Sequence, residues 1–257
     1  MFGGLLGKSW FLDRDLEPWC LETWAWFMRN MGGMERLKAT ALATPSRDFF
    51  PPSDATGDAR AEHIFECVKR AMDMETWACV LEPYDRREAN AQVGEFWFLR
   101  GGSAPNGTFQ YDETGAVLIR YARDLLTDPA HLVGTLAHEL CHFRLSRIEE
   151  PSPGGPETHE LDTDLAVAFM GFGVFGANRA FAFQQHGDAF GQGWRSQRNG
   201  YLSERTWAFA LALFLALKEQ PDAATPWLKP TIAGDVAKAI KYLARNPEAL
   251  ATLRAIP

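Results

Sequence analysis

DPAHLVGTLAHELCHFRL, running from Asp128 to Leu145, is the stretch on which the reading of this chain turns. Asp128 before Pro129 is a strong helix start, because the aspartate can cap free backbone amides and a proline at the first helical position has no amide to lose. From Leu132 onward Val133, Leu136, Ala137, Leu140 and Phe143 recur at helical spacing, so a helix packed on a core is expected. Within it, His138, Glu139 and His142 form the pattern H-E-x-x-H. Two histidines four apart share one helix face about one turn apart, and both imidazoles can reach a single divalent ion.

Working outward, Pro151 to Pro156 forces a break. A second helix is expected from about Thr158 through Leu161, Leu165, Ala168 and Phe169, until Gly171, Gly173 and Gly176 loosen it, end it or allow close helix contacts. Its first turns offer Glu157, His159, Glu160, Asp162 and Asp164 to complete a metal site. Zinc suits two neutral imidazoles and a carboxylate, with a fourth position left for water whose pKa falls to about 7 on binding. Glu139 is then placed to take a proton from that water and pass it to a leaving group. The third ligand must lie outside the motif helix, since Ile148 stands where a metzincin has a third histidine and Leu145 replaces that pattern's glycine. The bland reading is a pair of surface histidines followed by carboxylates that a helix dipole favours in a first turn. Against it, Leu136, Ala137, Leu140 and Phe143 flank the histidines so closely that they belong at the edge of a core, where imidazoles need partners.

Glu160-Leu161-Asp162-Thr163-Asp164 has the form E-x-x-x-D. With His138, Glu139 and His142 on one helix and Glu160 and Asp164 on the next, the chain resembles the gluzincin metallopeptidases, the thermolysin-like class. The resemblance implies Glu160 as third ligand, ahead of His159, Asp162 or Asp164. It implies Asp164 as the carboxylate that orients a ligating histidine, fixing its tautomer and raising its basicity. It further implies one Zn2+ per chain, a peptide or protein substrate and a zincin-like minimal core over about Ala59 to Gly176. Taken alone, the residues speak for metal-assisted hydrolysis more directly than for an amide substrate. The competing reading is a metal-stabilised binding or regulatory module. There a fourth ligand, His159 or Asp162, closes the site, and the aromatic N-terminal segment serves a protein partner. A third reading has that segment cover the cleft, so that activity is latent until a partner moves it.

Residues 1–57 read as that aromatic segment and a connector. Trp10, Trp19, Trp24 and Trp26 crowd it, Leu16 to Met31 is expected to be a helix ending at Gly32-Gly33, and Pro45, Pro51 and Pro52 mark a loop from Thr44 to Gly57. Residues 58–257 read as the main domain. A helix is expected over Ala59 to Met74, then short strands at Trp77 to Leu81, Glu95 to Arg100 and Ala116 to Tyr121 in a small antiparallel sheet, with Gly101 to Gly115 an exposed loop. Ser203 reads as the N-cap of a helix Glu204 to Lys218, with Leu202 and Trp207 spaced for a hydrophobic staple. Helices at Ile232 to Ala244 and Pro247 to Arg254 complete an α+β fold that is mainly helical. His186, Arg195, Arg198 and Tyr201 are donors that could face a developing oxyanion.

With 46% apolar and 23% charged residues in a chain of 257, a packed core is expected without help from disulfides. A net charge of −7 argues against a nucleic-acid surface, Arg195 and Arg198 being at most a local patch. The longest apolar stretch, Trp207 to Leu217, is about half of the roughly 20 residues that span a bilayer, so a buried helix and no membrane partner are expected. The N-terminus lacks a signal-peptide pattern, and Cys20, Cys67, Cys79 and Cys141 are scattered as reduced thiols would be, which points to the cytoplasm.

Overall fold

The computed structural model describes residues 10–86, 106–184 and 202–256. Helix α1 (Leu16–Met31) stops on Gly32, whose φ of 95° is the left-handed conformation a glycine adopts freely. A short α2 (Gly33–Ala39) and an irregular connector lead to α3 (Gly57–Ala71). Strands β1 (Cys79–Tyr84), β2 (Gly107–Tyr111) and β3 (Val117–Ala122) follow. The rest of the described chain is helical: α4 (Pro129–Leu145), α5 (His159–Val167), α6 (Gly173–Gln184), α7 (Glu204–Leu217), α8 (Pro230–Arg245) and α9 (Pro247–Arg254). The two capping expectations hold: Asp128 accepts from the His131 amide and Ser203 from the Thr206 amide.

The sheet corrects the sequence reading. It is mixed, in the order β1-β3-β2, with β3 antiparallel to β2 but parallel to β1. β2 and β3 form a hairpin whose turn is tied by the Asp112 carboxylate, which accepts from the amides of Thr114 and Ala116, while Gly115 takes a φ of 83°. Everything between Tyr84 and Val117 separates β1 from β3, enough chain to return in the same direction. β2 lies inside the stretch expected to be a loop. Its β-branched and aromatic residues Thr108, Phe109 and Tyr111 precede a turn sequence, a hairpin signal masked by neighbouring glycines. β1 starts two residues after Trp77 and runs on through Pro83, which an edge strand tolerates. The strand expected at Glu95 to Arg100 lies outside the described residues.

The second helix of the motif pair is also interrupted. α5 passes into a π-turn, Ala168–Phe172, in which Gly171 has a φ of 87°, and α6 begins beyond it. The segment after α2 crosses this kink: the Ala43 amide donates to the Gly171 carbonyl at 3.0 Å, and a Cβ on Gly171 would sit 2.1 Å from the Ala41 carbonyl oxygen. Gly171→Ala therefore combines a left-handed backbone with a clash against main chain, and about 3 kcal/mol of stability should be lost. Urea denaturation reads this directly, and an unchanged midpoint would mean that residues 40–44 yield freely.

α7 is the central helix, buried from Thr206 to Leu215, and it packs against α6 and α8. Its Trp207 ring lies on Gly176, where a Cβ would come within 2.2 Å of Cη2, so the glycine sets the close approach of α6. From α1, Trp24 and Phe27 meet Phe169 at ring distances of 5.4 and 5.5 Å, so the aromatic segment joins the same core as the remaining helices. Each such fully buried side chain contributes about 1.5–3 kcal/mol. α4 packs on β2, β3, α3 and α5, which places its histidines between the sheet and α5. No helix among the described residues is long and apolar enough to cross a membrane, and the four cysteines are free thiols.

Candidate metal centre

α4 and α5 bring His138, His142 and Glu160 together, their ligand atoms all lying within 4.8 Å of one another. The closest atoms are Nε2 of each imidazole and Oε2 of the carboxylate. His138 Nε2 is 3.0 Å from His142 Nε2 and 3.3 Å from Glu160 Oε2, which is 3.5 Å from His142 Nε2. An ion with bonds of about 2.0–2.1 Å in tetrahedral geometry separates its ligand atoms by about 3.3–3.4 Å. The three distances bracket that edge length, so the donors fit a zinc-sized ion.

Each imidazole has its other nitrogen engaged. His138 Nδ1 is 3.0 Å from Asp164 Oδ1, and the second oxygen of that carboxylate accepts from the Leu202 amide at 3.1 Å. Asp164 is 1% exposed, which makes it a buried bracket between α4 and the residue just ahead of the Ser203 cap of α7. His142 Nδ1 is 3.2 Å from the Thr163 hydroxyl and 3.1 Å from His159 Nε2. The Phe109 ring of β2 lies nearly parallel to the His142 ring, 6.2 Å away. The histidines are buried, whereas the Glu160 side chain is 48% exposed, so the cluster reaches the surface through its carboxylate.

Electrostatics follow from this placement. Burial alone would push the His138 pKa down, but hydrogen bonds to Asp164 and Glu160 outweigh it and raise the pKa to about 10. Burial likewise works against the charge on Glu160, yet the two imidazoles hold its carboxyl well below the usual carboxylate range. Burial lowers the pKa of His142, keeping that ring neutral. A metal ion would compete with the proton that His138 and Glu160 share, so its binding should weaken on acidification. Glu139, 6% exposed beside them, has its pKa raised by burial to about 7. β2 comes close to that carboxylate because residue 107 has no side chain: a Cβ there would sit 2.8 Å from Glu139 Oε1.

The remaining candidates fall elsewhere. His159 meets the cluster from the side, against Nδ1 of His142 rather than Nε2. Asp162 is buried and accepts from the Thr158 hydroxyl at 2.8 Å. Glu157 is exposed and is absent from the ligand group. His186, Arg195, Arg198 and Tyr201 lie outside the described residues. Thr163, Gly107 and Phe109 went unnoticed in the sequence. Of these only Thr163 had a signal, being one helical turn from His159 and next to Asp164. Comparison with protein-family models, with curated proteins and with solved structures gives no match to this chain.

Proposed function

We propose that this chain is a zinc-dependent hydrolase of gluzincin type, with a zincin-like core and a peptide or protein as substrate. The observation that carries the reading is the convergence of His138 Nε2, His142 Nε2 and Glu160 Oε2 at tetrahedral spacing, with the buried carboxyl of Glu139 beside them. When bound, zinc supplies a Lewis acid that polarises a carbonyl and lowers the pKa of coordinated water to about 7. Glu139, whose own pKa stands near 7, is matched to accept a proton from water and return it to a departing amine at neutral pH. Asp164 holds the His138 ring, and the half-exposed Glu160 leaves a side from which substrate can approach.

An open site is favoured over a closed, purely structural one by the two residues that might have supplied a fourth ligand. His159 is turned to the far nitrogen of His142, and Asp162, which accepts from Thr158 through Oδ2, does not join the group that His138, His142 and Glu160 form. Free thiols throughout fit a reducing compartment, so the cytoplasm completes the reading.

Elemental analysis of protein purified without a histidine tag tests it. About one zinc per chain is expected in the wild type and none in His142→Ala or Glu160→Ala, together with cleavage in a broad peptide library by the zinc-loaded wild type. Wild type that takes up no zinc when zinc is supplied would reduce the cluster to a hydrogen-bonded helix pair. Stoichiometric zinc without cleavage would favour the binding-module reading instead.

A further inference from the structure

The two ligating imidazoles are supported differently. His138 has a carboxylate at its Nδ1, whereas Nδ1 of His142 meets a hydroxyl and a third imidazole, at nearly equal distance. For Nε2 of His142 to present a lone pair to an ion, the ring proton must reside on Nδ1, which requires an acceptor there. His159 does not guarantee one. If its Nε2 carries the proton it donates to His142 Nδ1, which sends the His142 proton to Nε2 and blocks the ligand position.

Thr163 removes the ambiguity. Its Oγ1 lies 2.8 Å from the carbonyl oxygen of His159, one turn back along α5, and only the hydroxyl can donate in that pair. With its single proton committed to the carbonyl, Oγ1 can meet His142 Nδ1 only as an acceptor. Thr163 is fully buried, so no water competes for the bond, and its place on α5 between Glu160 and Asp164 fixes it relative to both. We propose that Thr163 is the positioning residue that sets the tautomer of His142, using the helix backbone to orient its own hydroxyl, and so makes the second histidine competent to bind metal. This rests on the zinc-site reading above and deepens it.

Outer residues that orient a metal-binding histidine are worth about 10–100-fold in metal affinity. The experiment is a chelator-competition measurement of zinc affinity on the full chain for wild type, Thr163→Val and Thr163→Ser. It is paired with 15N NMR of His142 in the metal-free proteins, which identifies the nitrogen that carries the proton before any ion dictates it. Valine keeps the threonine shape without the acceptor, and zinc affinity should fall by about 10–100-fold. Serine keeps the hydroxyl and should stay within a few-fold of wild type, with the proton on Nδ1 in both. Thr163→Val binding zinc as tightly as wild type, or Thr163→Ser losing as much as Thr163→Val, would overturn the assignment. Wild type that binds no zinc would instead defeat the site itself, a separate outcome. Thermal melts of the metal-free variants separate a folding defect from the tautomer effect: wild-type-like melting of Thr163→Val with weakened zinc binding is the expected combination. Equal destabilisation by valine and serine would overturn it.

Discussion

Glu139→Gln is expected to keep zinc at wild-type stoichiometry while hydrolysis falls by about 10²–10⁴-fold, the usual contribution of a positioned proton acceptor. Glutamine has nearly the same shape and cannot take a proton, and residue 139 does not belong to the ligand group. A second readout is independent of any substrate. Burial raises the pKa of Glu139 from an ordinary 4.5 to about 7 in the metal-free protein. Between those values the unfolded chain is ionised and the folded chain is not, so stability falls as pH rises through the interval and reaches its lower level above about pH 7. At about 1.4 kcal/mol per pKa unit the cost is on the order of 3 kcal/mol. Metal-free Glu139→Gln should therefore be the more stable protein at pH 8 by up to that amount and should lose its advantage below about pH 4.5. Parallel stability curves across that range would mean that the carboxyl is solvated rather than buried. Full activity in the variant would remove Glu139 from the chemistry.

The second large effect is expected at Asp164. Its carboxylate holds His138 with one oxygen and the Leu202 amide with the other, and it is 1% exposed. Asp164→Ala strands a buried imidazole and a buried backbone amide at once. Breaking a buried pair of this kind costs about 3–5 kcal/mol, which chemical denaturation of the metal-free protein would detect. Zinc affinity should fall as well, because Nδ1 of His138 loses the acceptor that keeps its proton away from Nε2. Asp164→Asn should lie between, since one amide oxygen can accept from only one side while the NH2 group confronts the other donor. A stability loss in Asp164→Ala below about 1 kcal/mol would show that the bracket is solvated and dispensable.

How much of this was legible in the sequence depends on how local each signal is. α1, α4, α7 and α9 are set by caps, glycine stops and apolar periodicity within their own segments, and they fall where the sequence predicts. The grouping of His138, His142 and Glu160 was likewise readable, because helical spacing fixes the first two and a short connection brings up the third. The sheet was less so. Parallel pairing of β1 with β3 is decided by partners far apart in sequence, and no feature of Cys79–Tyr84 announces it. The break between α5 and α6 needs Ala41 and Ala43 packed against Gly171, which glycines in a helical pattern suggest without specifying. Thr163 went unnoticed for a different reason: its place beside Asp164 was the one hint, and a threonine inside a helix is ordinary until its neighbour across the helix pair proves to be an imidazole nitrogen.

The bond from the Leu202 amide to Asp164 also has a bearing on the order of assembly. All three ligand side chains lie within two consecutive helices, so they can meet as soon as α4 and α5 close on each other, a short-range event. The donor that completes the Asp164 bracket is Leu202, just ahead of the Ser203 cap of α7, and α7 must dock before the carboxylate is fully satisfied. An early helix pair therefore carries the ligands but not the finished support for His138. On the proposed zinc-site reading, tight zinc uptake during refolding is expected to be a late event, timed by the arrival of a core helix rather than by the formation of the helices that carry the candidate ligands.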